Sequence, residues 1–90
     1  MKGPTVVIVD PSWQVRERLR RVYERRGYAA WTCPGPEMAI PLLQTVLPDL
    51  ALIDLEESSA QAQIIVESCL SVSPATQIVF RRKAAPTKAA

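Results

Sequence analysis

Residues Pro48–Leu55 read PDLALIDL: a proline and an acid, then an apolar run broken only by Asp54 near its end. A short apolar run without polar alternation suits a strand covered on both faces, as in the interior of a parallel sheet. Thr5–Val9 (TVVIV) is a second segment of this kind, ended by Asp10 and Pro11. Two such strands, each closing on an aspartate, are the frame on which the remaining sequence is read.

Around them, strand and helix signals alternate. Ser12 suits an N-cap because its hydroxyl can accept a hydrogen bond from a free first-turn amide. A helix follows from Trp13, with Val15, Leu19, Val22 and Tyr23 forming an apolar stripe, and Gly27 ends it. Tyr28–Cys33 (YAAWTC) reads as a second strand. A second helix is expected over Glu37–Leu47, with Ala39, Leu42, Leu43 and Val46 inward. Pro41 should kink it or delay its start, since its ring meets the carbonyl four residues back. The third strand is Leu50–Leu55. A third helix, from about Ala60 to Val72, turns Ile65, Val66, Cys69 and Val72 inward. Gln77–Phe80 (QIVF) is the fourth strand, and RRKAAPTKAA follows as a tail. The fold class is therefore α/β: a parallel sheet with right-handed crossovers and helices on both faces. The division is a domain over 1–82 and a disordered tail over 83–90.

Composition narrows the function. The chain has 90 residues and no histidine, so it contains no Ser–His–Asp triad, histidine base or phosphohistidine relay. Its two cysteines, Cys33 and Cys69, are too distant for a CxxC ligand pair; free buried thiols in a reducing cytoplasm are expected rather than a disulfide. No run is long enough to span a membrane. Three glycines supply no phosphate-cradling loop. Six arginines and two glutamates crowd residues 16–26, whereas residues 27–80 hold six acids and no Lys or Arg. Four cations lie in residues 81–90. No aromatic residue is interleaved with the tail cations to stack on a base, which argues against nucleic acid as the partner. Binding through the basic helix stands as an alternative.

In a parallel sheet, ligand chemistry gathers at the carboxyl ends of the strands. Asp10 and Asp54 both lie there. Two carboxylates on neighbouring strand ends can share a magnesium ion, and an aspartate so placed can act as a nucleophile towards phosphate. Equally, Asp10 can be a helix-entry acid and Asp54 a loop-end acid.

The stretches VVIVDPSWQVRERLRRVYERRGY, MAIPLLQTVLPDLALIDL and SPATQIVF resemble the receiver domain of bacterial two-component response regulators. The resemblance implies a flavodoxin-like (CheY-like) sheet, truncated to about four strands in the order 2-1-3-4 with three helices. It places Asp54 at the phosphoacceptor position of the phosphorelay and Asp10 at the first residue of the acidic pair. The second acid of that pair is Pro11, which offers no carboxylate, so magnesium held by Asp10 and Asp54 is expected to be weak or lost. Ser58 replaces a loop proline, and Glu56 and Glu57 add negative charge. The switch hydroxyl position falls on Arg82, or on Arg81 in a register one residue shorter. The fifth strand and its lysine have no counterpart.

These departures describe a degenerate receiver, a binding module rather than an enzyme, working in the cytoplasm by protein–protein contact with no required cofactor. A residual phosphoacceptor at Asp54 with magnesium is the alternative. Arg81 and Arg82 are either solvated at the start of the tail, or one of them pairs with Asp54 in place of the missing cation. With no fifth strand, the edge Gln77, Ile78, Val79 and Phe80 becomes a candidate interface for a homodimer joined strand four to strand four. Trp13 is expected to pack on a loop and Trp31 on the edge of strand two.

Overall fold

The computed structural model describes residues 3–82, with the backbone only at Arg82. The tail expected over 83–90 lies outside the described residues. In chain order the elements are β1 (Thr5–Val9), α1 (Trp13–Arg25), β2 (Ala29–Cys33), α2 (Pro36–Val46), β3 (Leu50–Glu56), α3 (Ala60–Val72) and β4 (Gln77–Arg82). They form one four-stranded sheet in the order β2-β1-β3-β4, with every neighbouring pair parallel. This is the expected fold class and strand order.

The two central strands justify the two-sided burial read from their sequence. Val6, Val7, Ile8 and Val9 on β1 and Ala51, Leu52 and Ile53 on β3 are all buried. Alternation divides them between two layers. Val7, Val9, Ala51 and Ile53 face α2 and α3, packing with Ala39, Leu43, Ile65 and Cys69. Val6, Ile8 and Leu52 face the other way, against Leu19 and Tyr23 of α1 and Tyr28 before β2. Thus α1 covers one face of the sheet, and α2 with α3 covers the other.

Local chemistry sets the helix ends. The hydroxyls of Ser12 and Ser59 cap α1 and α3, accepting from Val15 N (3.3 Å) and Ala62 N (3.1 Å). At the far end of α1 the chain turns through Gly27, whose φ of +90° is strained for any residue with a Cβ. The Tyr23 and Tyr28 rings then meet at right angles, 5.1 Å between centroids.

Several details differ from expectation. Of the two effects expected of Pro41, a kink or a late start, the late start does not occur. The helix starts at Pro36, a position where a missing N–H costs nothing, and runs through Pro41 to Val46. Val72 is 48% exposed, and Ala62 takes the inward position on α3 instead. Trp13 is 64% exposed rather than packed. Strand β4 continues through Arg81 and Arg82, which therefore belong to the sheet and not to the tail.

Candidate functional site at the carboxyl rim of the sheet

The parallel register brings the two aspartates to one rim. Val9 on β1 lies opposite Ile53 on β3, so Asp10, just past β1, and Asp54, near the end of β3, follow at the same level on neighbouring strands. Ile53 in turn lies opposite Phe80, which puts Arg81 at the same level on β4. Beyond Ile53 the β3–β4 pairing is irregular and resumes at Glu56 opposite Arg82. This irregularity falls where the side chain of Arg81 leaves its strand.

Asp10 is the most constrained residue of the rim. It is a buried charged residue, only 3% exposed. Its backbone N–H donates to the Cys33 carbonyl on β2 (3.1 Å). Its backbone carbonyl accepts from the Arg16 guanidinium on α1 (2.8 Å), which also reaches the Pro11 carbonyl (3.3 Å). One carboxylate oxygen, Oδ1, accepts from the Ser12 N–H (2.8 Å). The other, Oδ2, receives the Arg81 guanidinium at 2.7 Å. A carboxylate removed from water needs both a countercharge and hydrogen bonds. Ser12 and Arg81 supply them, and the short contact to Arg81 is typical of a charge-assisted bond.

Arg81 and Arg82 were read either as solvated or as a source of a partner for Asp54. Arg81 reaches across the end of β3, from β4 to β1, and pairs with Asp10. The side chain of Arg82, the other switch-position candidate, lies outside the described residues. Asp54 is half-buried at the rim, beside the exposed loop acids Glu56 and Glu57. The edge candidates Gln77, Ile78, Val79 and Phe80 alternate as a strand should. Ile78 and Phe80 pack on the α2–α3 side, while Gln77 and Val79 are exposed.

Sequence reasoning missed Arg16. It was one arginine among six on α1, and only its approach to the two carbonyls distinguishes it. The i→i+6 separation from Asp10 was the available signal, since a residue one turn into a helix can reach back to the chain entering it.

The donor set does not suit a divalent cation. Pro11 contributes no oxygen from its side chain, and a guanidinium already neutralises the Asp10 carboxylate. Among the described residues no group of three acidic, histidine or cysteine side chains converges on one point. At the β2 end of the rim Cys33 is buried, and burial raises its thiol pKa above the ordinary value. A raised pKa works against the thiolate form that nucleophilic and metal-binding cysteines use.

No family model matches the sequence, and the search of curated proteins gives no match. Comparison of structures does find a likeness. The signal receiver domain of a modulated diguanylate cyclase from Desulfovibrio desulfuricans G20, described as an example of alternate folding, superposes with a TM-score of 0.67 at 23% identity. The alignment covers 94% of this chain and 68% of that one. With the strand order 2-1-3-4, three helices and two aspartates at the carboxyl rim, the chain has the fold of a signal receiver domain.

Proposed function

We propose that the chain is a receiver-like signalling module that acts through contact with another protein and is not switched by aspartyl phosphorylation. The observation that carries this reading is the Arg81–Asp10 ion pair. In the receiver fold this rim is where a cation and a phosphoryl group would meet the acids. Here a guanidinium fixed on β4 neutralises the buried acid without any exchangeable ion. Pro11 removes a second carboxylate from the same rim. Glu56 and Glu57 add charge that repels an incoming phosphoryl group. A reducing cytoplasm, in which Cys33 and Cys69 stay as thiols, is the setting this reading assumes.

The test is incubation with a small-molecule phosphodonor, acetyl phosphate, and magnesium, followed by intact-mass measurement. The expected spectrum shows the unmodified chain alone. A phosphoryl adduct mapped to Asp54 would establish a working phosphoacceptor and overturn the reading.

A further inference from the structure

The two faces of the molecule differ in charge and in shape, and neither difference is used by the rim. On α1, Arg16 is committed to backbone carbonyls and Arg20 to Glu17 and Glu24. Arg18, Arg21 and Arg25 form no ion pair among the described residues, and their three- and four-residue spacing aligns them along one side of the helix. Trp13 stands at the head of this helix, 64% exposed. Together they border a shallow groove of about 460 Å³.

Across the sheet, α2 and α3 enclose an apolar notch of about 140 Å³ between Pro36 and Ile40 on one side and Ile64 and Ile65 on the other. Ile64 is 52% exposed, and Met38 beside Glu37 is 56% exposed. The setting is acidic: Glu37 lines the notch, Glu67 lies one turn beyond Ile64, and residues 27–80 contain no Lys or Arg.

We infer that copies of this chain associate head to tail, the Trp13–arginine face of α1 seating on the acidic α2–α3 notch of the next copy. Charge complementarity identifies the occupant, because the chain carries both halves of the contact on opposite faces of one sheet. The halves also match in position. Trp13 opens α1, while the notch is built from the first turns of α2 and α3, so both anchors lie at the rim end. With α1 laid along α3 in the same direction, Arg18 falls about 7.5 Å beyond Trp13 and Glu67 about 4.5 Å beyond Ile64, at 1.5 Å per residue. A long arginine spans that difference. Such a contact joins two different patches, so it is heterologous and repeats into a ring or a filament. It does not depend on whether Asp54 accepts a phosphoryl group.

Light scattering over a concentration series tests it, with two variants whose changes fall on exposed side chains. The first, Trp13→Ala with Arg21→Glu, loses the stripe and keeps the notch. The second, Ile64→Arg, loses the notch and keeps the stripe. The wild type is expected to grow in mass with concentration. Its apparent association constant is expected to fall by at least about tenfold between roughly 0.05 M and roughly 0.5 M salt, as screened exposed charges require. Each variant alone, with an unchanged circular dichroism spectrum, is expected to stay monomeric. An equimolar mixture is expected to form a one-to-one dimer, because one intact stripe meets one intact notch. A monomeric wild type at high micromolar concentration overturns the inference. So does an assembly that persists in both variants, as pairing through the β4 edge would, or a mixture that stays monomeric while the wild type assembles.

Discussion

Asp10 and Arg81 are unequal partners, and their inequality is measurable. The Asp10 side chain is 5% exposed and that of Arg81 36%. Removing the guanidinium strands a buried carboxylate with the Ser12 N–H as its remaining bond, whereas removing the carboxylate charge leaves an arginine that water can reach. Arg81→Ala is therefore expected to lower stability by about 1–3 kcal/mol in urea unfolding, and Asp10→Asn by less. The double variant should lose less than the sum of the two. Equal or negligible losses would show that the pair does not hold the rim. The two thiols give a second expectation at this scale. Burial raises the pKa of both Cys33 and Cys69. A group whose folded pKa lies above its unfolded value favours the folded state at pH below the unfolded value. That advantage is lost as the unfolded thiols ionise, so stability should decline above about pH 8.5. A thermal-unfolding series across pH 7 to about 10, compared with a Cys33→Ala, Cys69→Ala chain, reads this directly. The acids of the rim were legible in the sequence because Asp10 follows one apolar strand and Asp54 lies near the end of another. The partner of Arg81 was not. Register sets Arg81 beside Asp54, and a guanidinium on a long, flexible stem also reaches the more deeply buried charge of Asp10.

The elements follow from local signals wherever those signals act alone. Ser12 as the cap of α1, Gly27 as its exit and the apolar runs of β1 and β3 are read directly from residue chemistry. Ser12→Ala and Ser59→Ala each remove a hydroxyl that accepts a first-turn amide, and each is expected to cost about 1 kcal/mol by urea unfolding. A loss confined to one variant would mean that water replaces the other cap. Glu17 bears on acid stability. Its bond to Arg20 holds its pKa below the ordinary carboxylate value, so its support for α1 is present at neutral pH and fades as the pH falls through that lowered value. Tertiary context explains the elements that were misjudged. Pro41 sits within α2, whose inner face is fixed by Ala39 and Leu43 in the core. Gly3, which carried no signal in the sequence, is confined by the chain beyond α1: a Cβ there would lie 2.3 Å from the Gly27 carbonyl oxygen. Trp13 was expected to pack on a loop near the Asp10 end of the sheet. Its exposure belongs to the α1 surface rather than to the core.

For the whole molecule, the parallel α/β class came from two apolar strands and the alternation around them, the order 2-1-3-4 was what the resemblance to receiver domains implied, and the structure agrees with both throughout residues 3–82. Charge distribution along the chain was equally plain: a basic α1, then six acids and no Lys or Arg over residues 27–80. The sequence did not reveal how the rim is neutralised, because that depends on three strands meeting at one level. Arg81 of β4, Asp54 of β3 and Asp10 of β1 come together only through the register. The central claim is that this rim is already closed by its own cation. The most direct test is amide and arginine side-chain NMR during titration with magnesium and beryllofluoride, a phosphoryl mimic. If Arg81 fills the rim, the resonances of Asp10, Ser12, Asp54 and Arg81 are expected to stay in place at millimolar concentrations of both. Saturable shifts centred on Asp10 and Asp54, with release of the Arg81 guanidinium, would contradict the claim.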